Sequence, residues 1–224
     1  MVKNISNLGD AALYCNFGNE VNKEINLKVI NYFKNLINSK IEGITNIAPS
    51  YNKIIVTFDL SITDFAKIKD KIQNIKLKNF EDEKNKKIKI PVCCDKKFVL
   101  DLNRLEEKLN ISGKQILDNF FENEYFCYMT GFIAGMPFLG DINKKLRANR
   151  LETPRVRVPK GSIGLTEQFC NIYTFESPGG WNIIGNTPVK VFDKSNTLQP
   201  ALINPGDTVN FFQIKKEEYD KWNE

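Results

Sequence analysis

The stretch RVRVPKGSIGLTEQFCNIYTFESPGGWNIIGNTPVKVF, residues 155–192, decides the fold of the C-terminal half of the chain. Short runs of β-branched and aromatic residues alternate in it with Gly and Pro, and the apolar spacing of a helix is missing. The pattern continues on both sides, and it predicts strands at 126–130, 155–158, 162–165, 171–175, 181–184, 189–192 and 208–214. Many short strands separated by Gly and Pro turns are typical of a small closed barrel or a sandwich.

The first ninety or so residues alternate between strand and helix patterns. Strands are predicted at 11–17, 44–48, 53–58 and 86–92, and amphipathic helices at 20–38 and 63–75. The order β-α-β-β-α-β is that of a ferredoxin-like split βαβ unit. Two helices follow at 102–109 and 113–123, the second with Ser112 and Gln115 in the spacing of a capping box. We therefore predict an α+β protein with a ferredoxin-like domain at 1–92 and a β-barrel domain at 93–224.

Composition limits the chemistry that this chain can perform. It has no His, which excludes a Ser-His or Cys-His nucleophile pair and a zinc site built on His. Catalysis by the chain alone would use Asp, Glu, Lys, Tyr or Cys. The five Cys are scattered without a C-x-x-C pair, and this predicts free thiols, no metal site and a reducing compartment.

Location and bulk charge are also constrained by the sequence. Residues 1–17 lack the apolar core of a signal peptide, and no apolar run approaches the ~20 residues that cross a bilayer. The net charge of +5 is modest and the Lys residues are scattered, so nucleic-acid binding is not favoured. We expect a cytoplasmic protein without a membrane partner.

Three segments carry a resemblance to a known family. They are GFIAGMPFLG at 131–140, TPRVRVPKGSIG at 153–164 and ESPGGWNIIGNTP at 176–188, and PGDTVNF at 205–211 follows them. In this order they resemble the family of B-type 5-oxoprolinase subunits (PxpB), also known as the KipI or allophanate hydrolase subunit one family. The resemblance implies that the barrel is cyclophilin-like.

The resemblance also implies a function and its partners. It implies that the chain, with A-type and C-type 5-oxoprolinase subunits, helps to open 5-oxoproline to glutamate, with ATP as the cofactor. No phosphate-binding G-x-x-x-x-G-K-[ST] loop is present in the sequence, so an ATP pocket would be of another kind, such as one shared with a partner. Because the family also includes an inhibitor of a sporulation histidine kinase, the alternative is a non-catalytic regulator that binds a kinase.

Several positions depart from the family pattern. Of the family's Y-G-G-E-F-G-P-D run only Phe98 and Asp101 remain, and a His expected near the end of the capped helix falls at about Phe120. The A-G-x-Q-T-G loop is replaced by TEQFCN at 166–171, and the Arg of G-R-T-P by Asn186. These changes affect polar positions, and they motivate the regulatory alternative.

Arginine supplies the first candidate site residues. Four of the five Arg lie between positions 147 and 157, in a chain whose cations are otherwise Lys. Arg155 and Arg157 are two apart on a predicted strand, so we expect them to share a face and to bind a carboxylate or phosphate with their planar forks. The alternative is a pair of structural arginines that bridge to Glu152 or Glu176.

The segment that follows the arginines supplies the remaining site candidates. Glu176 is the nearest candidate acid or base. Gly179 and Gly180 allow positive φ or a close backbone approach, and together with Thr187 they complete the predicted substrate site. Trp181 is either a stacking platform or a core indole. Ser177, which lacks a base partner, is expected to be structural.

An apolar loop is predicted at 131–140. Its apolar side chains either fold inward or dock another protein. The family resemblance favours a subunit interface, formed by Phe132, Met136, Pro137 and Phe138.

Overall fold

The structure is a computed structural model that describes residues 2–78 and 85–222. The chain divides into two compact units, residues 1–84 and 85–224. Each unit has its own hydrophobic core.

The first unit is an antiparallel sheet with two helices. Its elements in chain order are β1 (Asn4–Asn7), β2 (Ala12–Asn16), α1 (Lys23–Ser39), β3 (Ile44–Pro49), β4 (Lys53–Phe58) and α2 (Phe65–Gln73). The sheet order is β1-β2-β4-β3. Helix α1 begins where the Asn22 side chain accepts a hydrogen bond from the Ile25 amide at 2.9 Å, and the Tyr32 hydroxyl donates to the Ile72 carbonyl of α2 at 2.7 Å.

This sheet corrects the predicted ferredoxin-like unit. The strand expected to complete it, residues 86–92, lies in the second unit, and β1 occupies the position beside β2 instead. The two compact units are residues 1–84 and 85–224, whereas the predicted domains divide between residues 92 and 93. Alternation along 86–92 identified a strand but did not identify its partners, while the polar sequence NISN of β1 gave no strand pattern.

The second unit contains the remaining elements. They are β5 (Lys87–Cys93), α3 (Leu102–Leu109), α4 (Gly113–Phe121), β6 (Glu124–Thr130), β7 (Pro137–Gly140), a 3₁₀ turn (Lys144–Leu146), β8 (Arg155–Val158), β9 (Ser162–Thr166), β10 (Phe169–Ile172), β11 (Ser177–Gly179), β12 (Asn182–Asn186), β13 (Thr208–Ile214) and α5 (Lys216–Lys221). The predicted capping box at Ser112 and Gln115 is present at the start of α4.

Seven of these strands close into a barrel in the order β10-β7-β6-β13-β5-β12-β9, and β9 pairs with β10. The predicted closed barrel is confirmed. Strand β13 pairs in parallel with β5 along its whole length and in antiparallel fashion with β6. Side chains that alternate inward fill the barrel, among them Val92, Cys127, Leu139, Leu165 and Ile184.

Two local predictions differ from the structure. Residues 137–140, expected in a loop, form β7, which pairs with β6 and β10. Residues 189–192, expected as a strand, contribute only an isolated bridge from Phe192 to Ala201. The Pro and Gly of the first segment are typical of loops, and so they did not indicate a strand. The apolar residues of the second segment contribute to packing without regular backbone hydrogen bonds to a neighbouring strand.

Strands β8 and β11 form a separate two-stranded ribbon. Its Val158 packs in one buried cluster with Met136, Tyr173 and Ile183, against which Ile133 and Phe138 also pack. These residues do not belong to the main barrel core. The ribbon therefore covers part of the outer face of the barrel.

Candidate functional site

A β-bulge in the ribbon separates the two predicted arginines. Ser177 pairs with Val158 and Gly179 pairs with Arg155. Between these two pairs, β8 contains one residue more than β11, which is a β-bulge. Arg155 and Val158 consequently turn inward, with Val158 fully buried. Arg157 is left with 80% of its side chain exposed. The shared face predicted for the arginines is wrong, because the bulge breaks the two-residue alternation; an anion-binding role for either stays a prediction.

Arg155 forms a bidentate ion pair with Asp101. Its two terminal nitrogens donate to the two carboxylate oxygens at 3.0 and 2.5 Å. Asp101 is 4% exposed and Arg155 28%, and the Asp101 carboxylate also accepts the Ile183 amide at 2.7 Å. A buried carboxylate held by two partners fixes the geometry of the guanidinium more than it adds net stability.

The backbone of Asp101 also forms hydrogen bonds to β12 and to α3. Its amide donates to the Ile183 carbonyl at 3.0 Å, and its carbonyl accepts the Leu105 amide at 3.0 Å, within the first turn of α3. Asp101 thus joins the start of a helix, a barrel strand and the ribbon. Asp101 matches the family pattern in the sequence, but its position there predicts none of these contacts.

Gly179 is required because of a close contact with Tyr173. A Cβ added to Gly179 would lie 2.2 Å from the Tyr173 hydroxyl oxygen. The sequence predicted either a positive φ or a close backbone approach at these glycines. Neither Gly179 nor Gly180 has a positive φ, and the close approach is found at Gly179. The Gly180 carbonyl accepts the Leu151 amide at 2.7 Å.

The Tyr173 hydroxyl lies among several groups of the ribbon and the barrel. Burial raises its pKa, and this effect exceeds the opposing influence of the nearby Asn171 amide, the Trp181 backbone and the positive charges of Arg155 and Arg150. The hydroxyl therefore stays protonated at neutral pH and serves as a hydrogen-bond donor or acceptor.

Asn171 lies on the outer face of β10, close to Tyr173 and Trp181. On the two neighbouring strands it pairs with Phe138 and Gly164. A Cβ added to Gly164 would lie 2.6 Å from the Asn171 amide oxygen and 3.0 Å from Cβ of Trp181. Trp181 is half-buried, and its ring meets Phe138 edge to face at 5.5 Å. We call Asp101, Arg155, Asn171, Tyr173, Gly179 and Trp181 the outer-face site.

Glu176 and Arg157 lie outside this site. Their side chains are 58% and 80% exposed and approach each other to 3.7 Å. Such a pair is worth little in water. Glu176 is exposed to solvent, so no buried environment prepares it to act as an acid or base. Its contact with Arg157 matches the predicted alternative of a structural arginine that bridges to Glu176.

Thr187 lies in a different recess, of about 250 Å³, that Lys160, Lys190 and Tyr219 also line. Its amide donates to the Gly161 carbonyl at 2.9 Å, and its hydroxyl accepts the Val189 amide at 3.2 Å. The structure thus brings Arg155, Gly179 and Gly180 together, but not Thr187.

The predicted interface segment mostly folds inward. Met136 and Pro137 are buried, and Phe138 is half-buried against the outer-face cluster. Phe132 is 68% exposed, with φ of 68°. Ser177 is buried, and its hydroxyl has no hydrogen-bond partner among the residues that the structure describes.

The cysteines and the acidic residues that the structure describes were considered as a further centre. All five cysteines are free, and burial raises the pKa of the Cys94 thiol to about 12. Within residues 2–78 and 85–222, no group of His, Cys, Asp and Glu is arranged to hold a metal ion. Over the same residues, no helix has the length and apolar character needed to traverse a bilayer.

Asn171 and Tyr173 were missed by sequence analysis as site residues. Both fall in a predicted strand, and their spacing of two places them on one face. The sequence does not show that the β8–β11 ribbon lies near this face. An Asn in an otherwise apolar strand was the available signal.

Comparisons with known proteins agree on the family. The family described as "Carboxyltransferase domain, subdomain C and D" matches residues 3–203. The B-type 5-oxoprolinase subunit of Bacillus subtilis is 30% identical over 98% of this chain and 96% of its own length. Urea amidolyase of Saccharomyces cerevisiae is 23% identical over 96% of this chain and 13% of its own. The crystal structure of TTHA0988 superposes with a TM-score of 0.81 at 26% identity, over 92% of this chain, and the chain spans 40% of that protein.

Proposed function

The chain belongs to the carboxyltransferase domain family, subdomains C and D, and on this premise we propose that it is the B-type subunit of an ATP-dependent 5-oxoprolinase. The observation that carries the proposal is the match to the B-type subunit of Bacillus subtilis along nearly the whole of both chains. The match covers 96% of the length of that relative.

The proposed partners are an A-type and a C-type subunit. A protein named as one subunit of an enzyme works with others, and the related chain TTHA0988 continues well beyond the 40% that this chain matches. We propose that a separate C-type chain supplies what TTHA0988 carries in one polypeptide. The exposed Phe132 is the residue of the predicted interface that remains available for such a contact.

The outer-face site is the proposed substrate site. Arg155 has five N–H donors, and Asp101 takes two of them. The remaining donors can bind the carboxylate of 5-oxoproline while Asp101 holds the guanidinium in place. The assignment of Glu176, Arg157 and Thr187 to catalysis or anion binding has no comparable geometric support. ATP is assigned to the complex, because the sequence has no phosphate loop of its own.

The cytoplasm is the proposed location. The five free thiols suit a reducing compartment, and 5-oxoproline opening with ATP requires a nucleotide supply.

Reconstitution with the cognate A-type and C-type subunits tests the proposal. We expect ATP-dependent release of glutamate from 5-oxoproline that requires this chain. Arg155→Ala should raise KM at least tenfold, Arg155→Lys should restore part of the loss, and the exposed Arg157→Ala serves as the matched control. A complex that releases glutamate equally well without this chain contradicts the proposal.

A regulator that inhibits a histidine kinase is the alternative function. Affinity purification from the native host separates the two functions. Recovery of the oxoprolinase subunits supports the enzyme, whereas recovery of a kinase without them supports the regulator.

A further inference from the structure

The first unit contains a cavity of about 420 Å³, which we call the first-unit cavity. It is bounded by β1, by Tyr32 of α1, by α2 and by the segment that follows α2. Its volume falls in the range of ordinary small-molecule sites, about 300–1,000 Å³. All of its lining residues belong to the first unit, and it shares no residue with the outer-face site.

The interior of the first-unit cavity is apolar. Ile5 and Tyr32 are only 6% and 5% exposed, and Ile75 is half-buried. The Tyr32 hydroxyl donates to the Ile72 carbonyl at 2.7 Å, so its donor is already satisfied within the unit, and burial raises its pKa. Leu77 also lines the cavity, although 47% of this residue is exposed. An interior of this kind favours an apolar group over a charged one.

The polar side chains around the cavity are Lys3, Asn4, Lys69 and Gln73. Among the residues that the structure describes, none of these four side chains forms a hydrogen bond or an ion pair. The Lys69 ammonium lies 5.6 Å from the centre of the Phe65 ring. No Asp or Glu of the described chain lines the cavity. Two positive charges without a counterion therefore border an apolar interior.

Other amide side chains of the first unit are committed to its fold. Asn22, Asn26, Asn35 and Asn52 each form a hydrogen bond with the backbone. Asn4 and Gln73, in contrast, leave their donors free beside the two ammonium groups. Free donors next to uncompensated positive charge suit the oxygen atoms of an anion.

We propose that the first-unit cavity binds a carboxylate with an unbranched apolar tail, such as the anion of a medium-chain fatty acid. The tail lies against Ile5 and Tyr32, and the carboxylate lies at the mouth beside Lys3 and Lys69. Lysine side chains cover apolar surface with their stems and keep their ammonium groups in water, so the mouth can pair with the anion without burying its charge. 5-Oxoproline has no such tail, and the inference does not depend on the proposed function.

The first test measures the binding of linear carboxylates to the full chain by titration calorimetry. We expect hexanoate, octanoate and decanoate to bind once per chain, with an affinity that rises about fourfold for each added methylene until the cavity is full. Octanamide has the same length and nearly the same shape without the charge, and it should bind about three- to tenfold more weakly than octanoate. An affinity that does not rise with chain length, or equal binding of octanoate and octanamide, overturns the inference.

Variants at the mouth locate the ligand. Lys3→Gln combined with Lys69→Gln should weaken octanoate binding about three- to tenfold and leave octanamide binding unchanged, because only charge is removed. Lys71→Gln is the matched control, since Lys71 lies on α2 but does not line the cavity, and it should change neither affinity. Leu77→Ser shortens an apolar wall at an exposed position and should weaken both ligands. Unchanged octanoate affinity in the double Lys variant or in Leu77→Ser, with the melting temperature of the parent, overturns the inference.

An anionic membrane surface is the competing occupant, because its headgroups would also attract Lys3 and Lys69. Co-sedimentation with phosphatidylglycerol vesicles distinguishes the two. Saturable octanoate binding that depends on the two lysines supports a free carboxylate, whatever the vesicles show. Vesicle binding that is lost in the double Lys variant, in a chain that does not bind octanoate, overturns the inference in favour of the membrane.

Discussion

Arg155 and Asp101 are 54 residues apart in the sequence and form a two-pronged ion pair that ties the β8–β11 ribbon to the start of α3. The same carboxylate accepts the Ile183 amide of β12. One buried acidic residue therefore fixes the position of the cation in the outer-face site.

Asp101→Asn should destabilise the second unit by about 2–3 kcal/mol. The substitution leaves the Arg155 charge partly buried without its counterion, and the partial exposure of Arg155 keeps the loss below that of a fully buried pair. Urea unfolding followed by tryptophan fluorescence measures the loss. The exposed Arg157→Ala is the matched control, expected to change stability by less than about 0.5 kcal/mol. Equal effects would show that the Asp101 pair is no stronger than a surface contact.

Gly179→Ala should cost about 1–3 kcal/mol, because the new methyl group collides with the Tyr173 hydroxyl oxygen. Tyr173→Phe removes that oxygen, so the double variant should be more stable than the sum of the single effects by about 1 kcal/mol. Thermal unfolding of the four proteins measures the coupling. Gly180→Ala has room for its methyl and should be nearly neutral. Strict additivity of the first pair would refute the contact.

The free energy of unfolding should fall above pH 9 because the Cys94 thiol is buried. Burial raises its thiol pKa from an ordinary 9.0 to about 12, so the folded state favours the neutral thiol. The resulting stabilisation is complete below pH 9 and is lost as the pH rises from about 9 to about 12, by up to about 1.4 kcal/mol per pH unit. Unfolding free energies at pH 8, 9.5 and 11 should decline less steeply in Cys94→Ala. Parallel curves for the two proteins would contradict this.

Phe132→Gly should stabilise the isolated chain by up to about 1 kcal/mol while weakening its association with the C-type subunit. Phe132 holds φ of 68°, a conformation that Gly adopts without strain. Phe132→Ala keeps that strain and loses only the ring, so it should weaken association equally without gaining stability. Melting temperatures and titration calorimetry with the partner measure the two effects. Unchanged affinity in both variants would remove Phe132 from the interface.

Elements with a local cause could be predicted from the sequence. The spacing of apolar residues gave α1 to α4 within a few residues, Ser112 and Gln115 gave the cap of α4, and Gly and Pro between short apolar runs gave a closed barrel. Each of these follows from interactions a few residues long.

Features that depend on distant pairing could not be predicted. The partners of β5, the bulge that turns Arg157 into solvent and the pairing of Arg155 with Asp101 are decided by the closed barrel and its ribbon. A two-residue period specifies the faces of a strand only where its ladder is regular. Arg155 and Gly179 are paired across the ribbon, with Gly180 next in the chain, but their contacts could not be foreseen and their role in a substrate site stays a prediction.

The parallel pairing of β5 with β13 can form only after most of the second unit has been synthesised. Strand β5 leaves the ribosome more than a hundred residues before β13, which fits between β5 and β6. At the usual rate of translation this interval lasts roughly ten seconds, and throughout it the growing chain presents two unpaired strand edges. The charged Lys87 and Lys89 on β5 suit that period of waiting, since lysines on an open edge discourage its pairing with a neighbouring nascent chain.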